Sequence, residues 1–322
     1  MAYAPVALFS YKRADKLEKC LSALEKDPIA KETDLYLFAD GSKSAADSDK
    51  VKEVRCFIHN YLKKSTFHKV VLIEREKNLG LANSIIGGVT QVINEHNRVI
   101  VVEDDLIVQN EFLSYMNSAL DYYEGMKEYG SISAYTYPLP ELEEYDKDIY
   151  VTHKGECWGW GTWSDRWNGV DWAVSDFGSY RKDRKKRKAF DAVEKGLDRM
   201  LILQKAGKID SWAVRWCYHL FTHQLLTVYP RISRAQNIGF DGSGTNCGDI
   251  KSDEERYAQN HLVAADSSNS SVFFERMPVD IELERKAATY MYVPFGEKII
   301  NIFKNIFKYL FIKRGIKNET GI

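Results

Sequence analysis

The chain has 322 residues, enough for one large α/β domain or two smaller ones. Its formal net charge of -1 provides no global field for nucleic acid, so we expect no nucleic-acid partner. The five cysteines form no Cys-x-x-Cys pair and no zinc spacing, which is typical of a reducing compartment; they are Cys20, Cys56, Cys157, Cys217 and Cys247. The sequence shows no signal-peptide pattern and no bilayer-spanning apolar stretch. We therefore expect a cytoplasmic location.

Predicted strands and helices alternate along the first 137 residues. The predicted strands are residues 5–9, 34–39, 69–73 and 99–102, followed by a short one at 131–134. Helical periodicity follows Ser10, runs from Asp47 to Leu62, resumes after Asn78–Asn83 and returns at Phe112–Tyr123. This alternation predicts an α/β fold with a mostly parallel sheet and helices on both of its faces.

Three adjacent carboxylates end the predicted strand at 99–102, namely Glu103, Asp104 and Asp105. Carboxylates held side by side repel one another unless a cation neutralises them. Their oxygens are preferred ligands of manganese and magnesium, so this pattern predicts a divalent-metal site that holds a phosphorylated ligand. A solvated acidic turn before the next helix is the alternative interpretation.

Polar residues follow two further predicted strands, at Ser10–Arg13 and at Asp40. In an open α/β sheet ligands bind at the carboxyl ends of the strands, so we expect these segments and Glu103–Asp105 to share one crevice. The chain lacks Gly-x-Gly-x-x-Gly after the first strand, which disfavours an ordinary dinucleotide-binding fold. It also lacks the Gly-x-x-x-x-Gly-Lys-[Ser/Thr] motif of P-loop proteins.

The pattern changes after residue 138. An aromatic, glycine-rich segment covers Cys157–Trp163, and the basic run Arg181–Lys188 is typical of a solvated helix start, with a phosphate or lipid-headgroup contact as the alternative. One long helix is then predicted, with Phe190, Val193, Leu197, Met200 and Leu201 on its core side. Another helix is expected to begin after Ile209, with Asp210 or Ser211 as its N-cap.

A polar, glycine-rich segment at 237–248 is typical of a loop that closes over a ligand. These patterns predict a domain at 1–248 with two parts, 1–137 and 138–248. A polar connecting segment is expected at 249–293, and a basic amphipathic helix with its tail at 294–322.

The residues at the strand ends resemble those of nucleotide-sugar glycosyltransferases of the GT-A fold, in the glycosyltransferase family 2 group. The similarity runs from about Pro5 to Gly248 and is greatest to the N-acetylglucosaminyltransferase I type. It implies that 1–248 is a catalytic domain, with a nucleotide-sugar-binding half at 1–137 and an acceptor-binding half at 138–248. Enzymes of that type carry an Arg after strand one, an Asp ending strand two and a Val-Val-Glu-Asp-Asp-Leu metal motif. An Asp-Asp-Trp catalytic segment and a loop led by Ile-Ser-Arg follow.

The resemblance assigns roles residue by residue. It implies that the donor and its nucleotide are bound by Arg13, Asp40, Asn78, Gly80, Asn83, Glu103 and Asp104. It further implies that Asp105 binds the metal and that Asp210 is the catalytic residue. The acceptor or donor-sugar pocket is expected to include Trp158, Trp160, Gly161 and Arg234. The sequence departs from that type at two positions. Enzymes of that type have a histidine in place of Asn83 and a second acidic residue in place of Ser211.

The implied reaction is metal-dependent, inverting transfer of a hexosyl or N-acetylhexosaminyl group from a UDP-sugar to a hydroxyl of a glycan or lipid-linked acceptor. A divalent ion would neutralise the leaving diphosphate, and Asp210 would take the proton of the acceptor hydroxyl. A non-catalytic nucleotide-sugar-binding protein is one alternative, which an intact Asp105 and Asp210 disfavour. A nucleotidyltransferase is another, but the sequence shows no glycine-rich, basic phosphate loop after strand one.

Each of these residues also has a structural interpretation. Asp40 could be a turn residue and Asp210 a helix cap, while tryptophans more often fill a core than bind a ligand. Near the end of the chain, 296–317 is predicted to be an amphipathic helix with Lys313, Arg314 and Lys317 at its end. It is expected to contact the inner face of a membrane or to mediate a homo-oligomer.

Overall fold

The computed structural model describes residues 2–240 and 272–290. The strands are β1 (Val6–Ser10), β2 (Asp34–Ala39), β3 (Lys69–Glu74), β4 (Arg98–Glu103), β5 (Leu106–Val108), β6 (Tyr129–Ser133), β7 (Ile149–Thr152), β8 (Trp160–Trp163), β9 (Leu226–Pro230) and β10 (Ala235–Asn237). The helices are α1 (Ala14–Leu24), α2 (Ser48–Tyr61), α3 (Leu81–His96), α4 (Phe112–Tyr123), α5 (Ser164–Trp167), α6 (Phe177–Lys182), α7 (Arg184–Val193), α8 (Leu197–Lys205), α9 (Trp212–Thr222) and α10 (Ile281–Tyr290).

Eight of these strands form one sheet in the order β3-β2-β1-β4-β8-β6-β9-β7. The first four are parallel, β8 is antiparallel to both of its neighbours, β9 is parallel to β6, and β7 is antiparallel to β9. Six of the eight strands thus point the same way, which confirms the predicted α/β fold with a mostly parallel sheet. Strands from both predicted halves of the catalytic domain belong to this sheet.

Helices cover both faces of the sheet, as predicted. Val6 and Leu8 of β1 join a buried cluster with residues of α1, α2 and α4, whereas Ala7 and Phe9 join a second cluster with residues of α3 and α9. Successive side chains of a strand point to opposite faces, so each central strand must be apolar throughout. This is why the strand signal of β1, β2 and β4 is a short, continuous apolar run.

The aromatic segment contains a strand that the sequence analysis missed. β8 lies between β4 and β6, with Val101 opposite Trp160. Trp160 packs into the α3–α9 cluster and Trp163 into the other, so both faces of β8 are buried. Glycine between large aromatic side chains hid the strand pattern, because each tryptophan occupies the space of several ordinary core residues.

The single long helix predicted across Phe190 to Leu201 is wrong. α7 ends at Val193 and α8 begins at Leu197, with Gly196 between them in the left-handed region (φ +102°). Phe190, Val193, Leu197 and Leu201 nevertheless enter the same buried cluster, whereas Met200, also predicted on the core side, is 39% exposed. Both helices bury their apolar side against α9. The helical spacing of apolar residues therefore continues from α7 into α8, and it gave no sign of the break.

The polar segment expected to connect the domain to the C-terminus includes α10, which sequence periodicity did not reveal. Leu283 and Ala287 pack against Tyr135, Tyr137 and other residues around β7 and β9. The carboxylate of Glu284 accepts the backbone N–H of His153 (2.7 Å), which fixes the helix at this edge of the sheet.

Several predictions concern residues outside the described ranges. They are the covering loop beyond Phe240, Cys247 and the C-terminal amphipathic helix. In the described part, Cys20, Cys56, Cys157 and Cys217 are free thiols. None of the helices in residues 2–240 and 272–290 combines the length and apolar character that a bilayer crossing requires.

Candidate active site

The carboxyl ends of β2, β1 and β4 lie side by side, which brings the three predicted polar segments together. Ser10 lies opposite Ala39, and Phe9 lies opposite Glu103. The backbone N–H of Asp40 also donates to the carbonyl of Ser10 (3.1 Å). The three polar segments therefore meet at this edge of the sheet.

Arg13 joins two of the three carboxylates after β4. Its guanidinium contacts Asp104 and also lies 3.0 Å from Oδ2 of Asp105. The backbone N–H of Tyr11 donates to the second oxygen of Asp104 (3.4 Å). Asp104 and Asp105 are buried, so the cation compensates part of the cost of removing two charges from water.

The acidic cluster has strongly shifted proton affinities. Burial, followed by the charges of Asp105 and Asp104, raises the pKa of Glu103 to about 8, while Arg13 opposes the shift. Burial also raises the pKa of Asp104 to about 6, again against the effect of Arg13. The ionised forms of Glu103 and Asp104 are therefore disfavoured in this cluster, and an additional cation beside them would stabilise the charged carboxylates.

The donor atoms fit a divalent metal ion shared with a phosphate ligand. Oδ1 of Asp105 is buried and has no hydrogen-bond partner among the described residues. In that part of the chain, no three His, Cys, Asp or Glu side chains converge as a complete metal cage. A complete cage is not needed, because Mg²⁺ in phosphate sites is commonly held by one or two carboxylates, water and the substrate phosphates.

β5 and β10 place a second segment directly over Asp105. These two strands pair antiparallel, and the backbone N–H of Ile238 donates to the carbonyl of Asp105 (2.8 Å). A Cβ on Gly239 would lie 2.2 Å from Oδ2 of Asp105, so only glycine fits without a shift. Lys16 donates to the carbonyl of Ile238 (2.9 Å). The sequence indicated a glycine-rich segment but had no signal for its contact with the acidic cluster.

Asp40 holds the loop before α3 against the sheet. Its carboxylate accepts the backbone N–H groups of Leu79 (3.1 and 3.2 Å) and Gly41 (3.0 Å). Asn78 bridges the same two segments, because its amide nitrogen donates to the carbonyl of Gly41 (2.9 Å) and its oxygen accepts the N–H of Gly80 (3.1 Å). Burial raises the pKa of Asp40, and the hydrogen bonds from Leu79 and Gly41 oppose this.

Asp210 lies against the first turn of α3. Its Oδ2 accepts the backbone N–H of Ala82 (3.3 Å), and a Cβ on Gly80 would approach it to 2.9 Å. Ser211, not Asp210, is the N-cap of α9, since its side chain accepts the N–H of Val214 (3.3 Å). Asp210 thus binds an N–H group in the first turn of α3, where the helix dipole favours negative charge, while Asp40 binds the N–H of Leu79 just before the helix.

Two residues predicted to line the sugar pocket lie in the core instead. Trp160 is fully buried and its ring stacks on Trp212 (centroids 5.0 Å apart), so it cannot contact a sugar in this arrangement. Gly161 lies within β8, where a Cβ would approach the carbonyl of Val99 to 3.1 Å. Both assignments are wrong, because β8 is a central strand and not a loop.

The other predicted pocket residues have different surroundings. Trp158 is half-buried beside β8, with its ring edge-on to those of Tyr135 (4.6 Å) and Phe240 (5.6 Å). Arg234 is buried, and its guanidinium donates to Gln109 (3.2 Å), so it fixes the turn after β5. Asn83 is exposed on α3 and donates to the carbonyl of Leu79 (3.1 Å).

Comparison with known proteins gives only distant structural similarity. No protein-family profile and no curated protein matches the sequence. A mannosyltransferase, PcManGT from Pyrobaculum calidifontis in complex with GDP-Man and Mn²⁺, has 11% identity and a TM-score of 0.41 over 69% of this chain and 70% of that one.

The S. aureus protein TarS is similar over a shorter stretch. Its 1–349 fragment has 16% identity and a TM-score of 0.35 over 47% of this chain, and the longer TarS structure has 15% identity and a TM-score of 0.32 over 41%. The chain spans 42% of the fragment and 21% of the longer structure. At these identities and scores the similarity does not assign a substrate to this chain.

Proposed function

We propose that the chain is a metal-dependent, inverting glycosyltransferase of the GT-A type that uses a UDP-sugar. The observation that carries this proposal is the unpartnered, buried Oδ1 of Asp105 at the carboxyl edge of the sheet, beside the Arg13–Asp104 pair. A desolvated carboxylate oxygen without a donor is costly to fold, and a metal ion shared with a diphosphate would satisfy it.

The donor half of the site follows from the contacts around β1, β2 and β4. Arg13 would orient the acidic cluster, Asp105 and a diphosphate would hold Mn²⁺ or Mg²⁺, and Glu103 and Asp104 would lie beside the nucleoside. Asp40, Asn78 and Gly80 shape the loop along which the nucleotide would lie. When bound, the metal neutralises the charge that develops on the leaving diphosphate.

Asp210 is the proposed general base. Its carboxylate lies at the start of α3, and a carboxylate placed beside the acceptor hydroxyl can take its proton as that oxygen attacks the anomeric carbon. A single displacement of this kind inverts the anomeric centre. The half-buried ring of Trp158, beside Phe240, offers a platform for a sugar of a glycan or lipid-linked acceptor in the cytoplasm.

The proposal is tested by a screen of nucleotide-sugars with the full chain. UDP- and GDP-sugars are incubated with and without Mn²⁺, and release of the nucleoside diphosphate is measured. We expect turnover of a UDP-sugar that stops with EDTA and in Asp105→Asn. The matched control is Asp49→Asn, which changes an exposed carboxylate of α2 and should leave turnover unchanged.

Four results would contradict the proposal. Binding of a nucleotide-sugar without any turnover would support a non-catalytic binding protein, and release of pyrophosphate from a nucleoside triphosphate would support a nucleotidyltransferase. Full activity of Asp105→Asn would remove the metal assignment. A product with the anomeric configuration of the donor, observed by NMR, would exclude a single displacement.

A further inference from the structure

A strongly basic surface lies on α6, α7 and α8, away from the acidic crevice. Residues 177–199 contain nine Lys and Arg side chains and four Asp and Glu side chains, although the whole chain carries a net charge of only -1. The cations are therefore concentrated locally. Arg181 and Lys182 of α6 and Arg184, Lys185 and Lys188 of α7 are exposed. Phe190 and Val193 of α7 point inward.

A cleft of about 500 Å³ lies between α7 and α8 within this basic surface. It is lined by Arg184, Arg187, Lys188, Asp191, Asp198 and Arg199. Arg187 is already neutralised, because its Nε and Nη2 each lie 2.9 Å from Asp198. Asp191 accepts the N–H of Gly196 (2.9 Å) and lies 3.4 Å from Lys195. The two acidic groups of the cleft are thus both engaged.

Arg184, Lys188 and Arg199 have no ion pair among the described residues, and all three are exposed. Arg181, Lys182 and Lys185 lie on the same two helices and also have none in that part of the chain. Unpaired cations of this density repel one another and attract phosphate groups. Arginine in particular binds phosphate through two parallel N–H bonds.

The backbone beneath these cations is firmly held. Phe190, Val193 and Leu197 pack with Val214 and Cys217 of α9 in one buried cluster. Asp183 caps α7 by accepting the N–H groups of Lys185 and Lys186 (both 2.9 Å). The basic side chains therefore stand on a rigid scaffold and are not needed for its packing.

We propose that the α7–α8 face is a docking surface for anionic phospholipid membranes, with headgroup phosphates seated in the cleft. Clusters of four to eight Lys and Arg residues on a helical surface are typical of binding to acidic lipids. A single soluble anion would account for the cleft but not for the cations beyond it on α6 and α7.

The test uses the full chain and vesicles of neutral phosphatidylcholine, with or without 30% phosphatidylglycerol, in a flotation assay. The cleft variant carries Arg184→Glu, Lys188→Glu and Arg199→Glu. The matched control carries Lys19→Glu, Lys26→Glu and Lys31→Glu, which makes the same change in net charge on exposed side chains around α1. A milder variant, Arg184→Gln with Lys188→Gln, serves if charge reversal lowers the melting temperature.

We expect wild type to float with the phosphatidylglycerol vesicles and not with the neutral ones. Each cation contributes roughly fivefold to such an affinity, so the milder variant should bind about 20-fold more weakly. The cleft variant should bind at least about 100-fold more weakly, because it loses three cations and its new carboxylates repel the anionic surface. The control variant should lose less than about threefold, since its lysines lie outside the docking surface.

Other outcomes would overturn the inference. Equal losses in the cleft and control variants would show that only net charge matters, and unchanged binding of the cleft variant would place lipid contact elsewhere in the chain. Failure of wild type to bind the anionic vesicles, together with stabilisation by millimolar pyrophosphate, would make the cleft a site for a soluble phosphate compound.

Discussion

Arg13 is expected to stabilise the fold by neutralising the acidic cluster, and Arg13→Met would remove that charge while keeping an unbranched side chain. Removing one partner of a buried ion pair costs roughly 3–5 kcal/mol. The Arg13 side chain is 17% exposed, and Asp104 would keep its hydrogen bond from Tyr11. We therefore expect the lower end of this range, about 3 kcal/mol in the free energy of unfolding.

Urea denaturation at pH 7.5 measures this loss. With a dependence of about 3 kcal/mol per molar urea, the midpoint should fall by about 1 M. Mn²⁺ should restore much of it, because a ligand at 100 times its dissociation constant stabilises the native state by about 2.7 kcal/mol. The metal should also stabilise the variant more than wild type, since it would replace the missing positive charge at Asp104 and Asp105.

The neighbouring residue supplies the matched control. Lys12 pairs with Asp47 at 2.8 Å in a partly exposed position, and such pairs contribute at most about 1 kcal/mol. Lys12→Met should therefore change the midpoint by less than about 0.3 M, with no dependence on Mn²⁺. Equal midpoints for wild type and Arg13→Met, or a deficit that Mn²⁺ leaves untouched, would refute the account of the acidic cluster.

Three further changes test the site and the fold. Asp210→Asn keeps an acceptor for the N–H of Ala82, so the melting temperature should not change. Sugar transfer should fall about 10²- to 10⁴-fold while the donor affinity stays the same. A parallel loss of donor affinity would make Asp210 a donor ligand. Gly80→Ala should lower the free energy of unfolding by about 1–2 kcal/mol, because φ is +76° and the new Cβ would meet Asp210. Gly87→Ala, in open space within α3, should raise it by about 0.5–1 kcal/mol. Equal effects of the two substitutions in thermal melts would contradict this. Burial lowers the pKa of His219 from 6.5 to about 4, so the unfolded chain binds more protons than the folded one between these pH values. About 3 kcal/mol of stability should therefore be lost as the pH falls from 6.5 to 4. The urea midpoints of His219→Phe should show a smaller loss over this range, and a pH dependence identical to that of wild type would refute the assignment.

Much of the candidate site could be predicted from the sequence because it is encoded locally. The apolar runs of β1, β2 and β4 are buried on both faces, and each ends in polar residues. In a sheet of parallel strands such ends meet at one edge, so the proximity of Arg13, Asp40 and Asp105 follows from the order of the elements. The N-cap of α9 could likewise be narrowed to Asp210 or Ser211 from residue type alone.

The remaining features depend on pairing between segments far apart in the chain. Whether Trp160 lines a pocket or a core was decided by the insertion of β8 between β4 and β6, and local sequence does not encode that partner. The approach of Gly239 to Asp105 depends on the pairing of β10 with β5, more than 100 residues earlier. α10 was likewise missed, since its helix packs on residues around β7 and β9 from a polar stretch with a weak pattern of its own. Periodicity reports which side chains are buried, whereas the identity of the surface that buries them is fixed only when the whole sheet assembles.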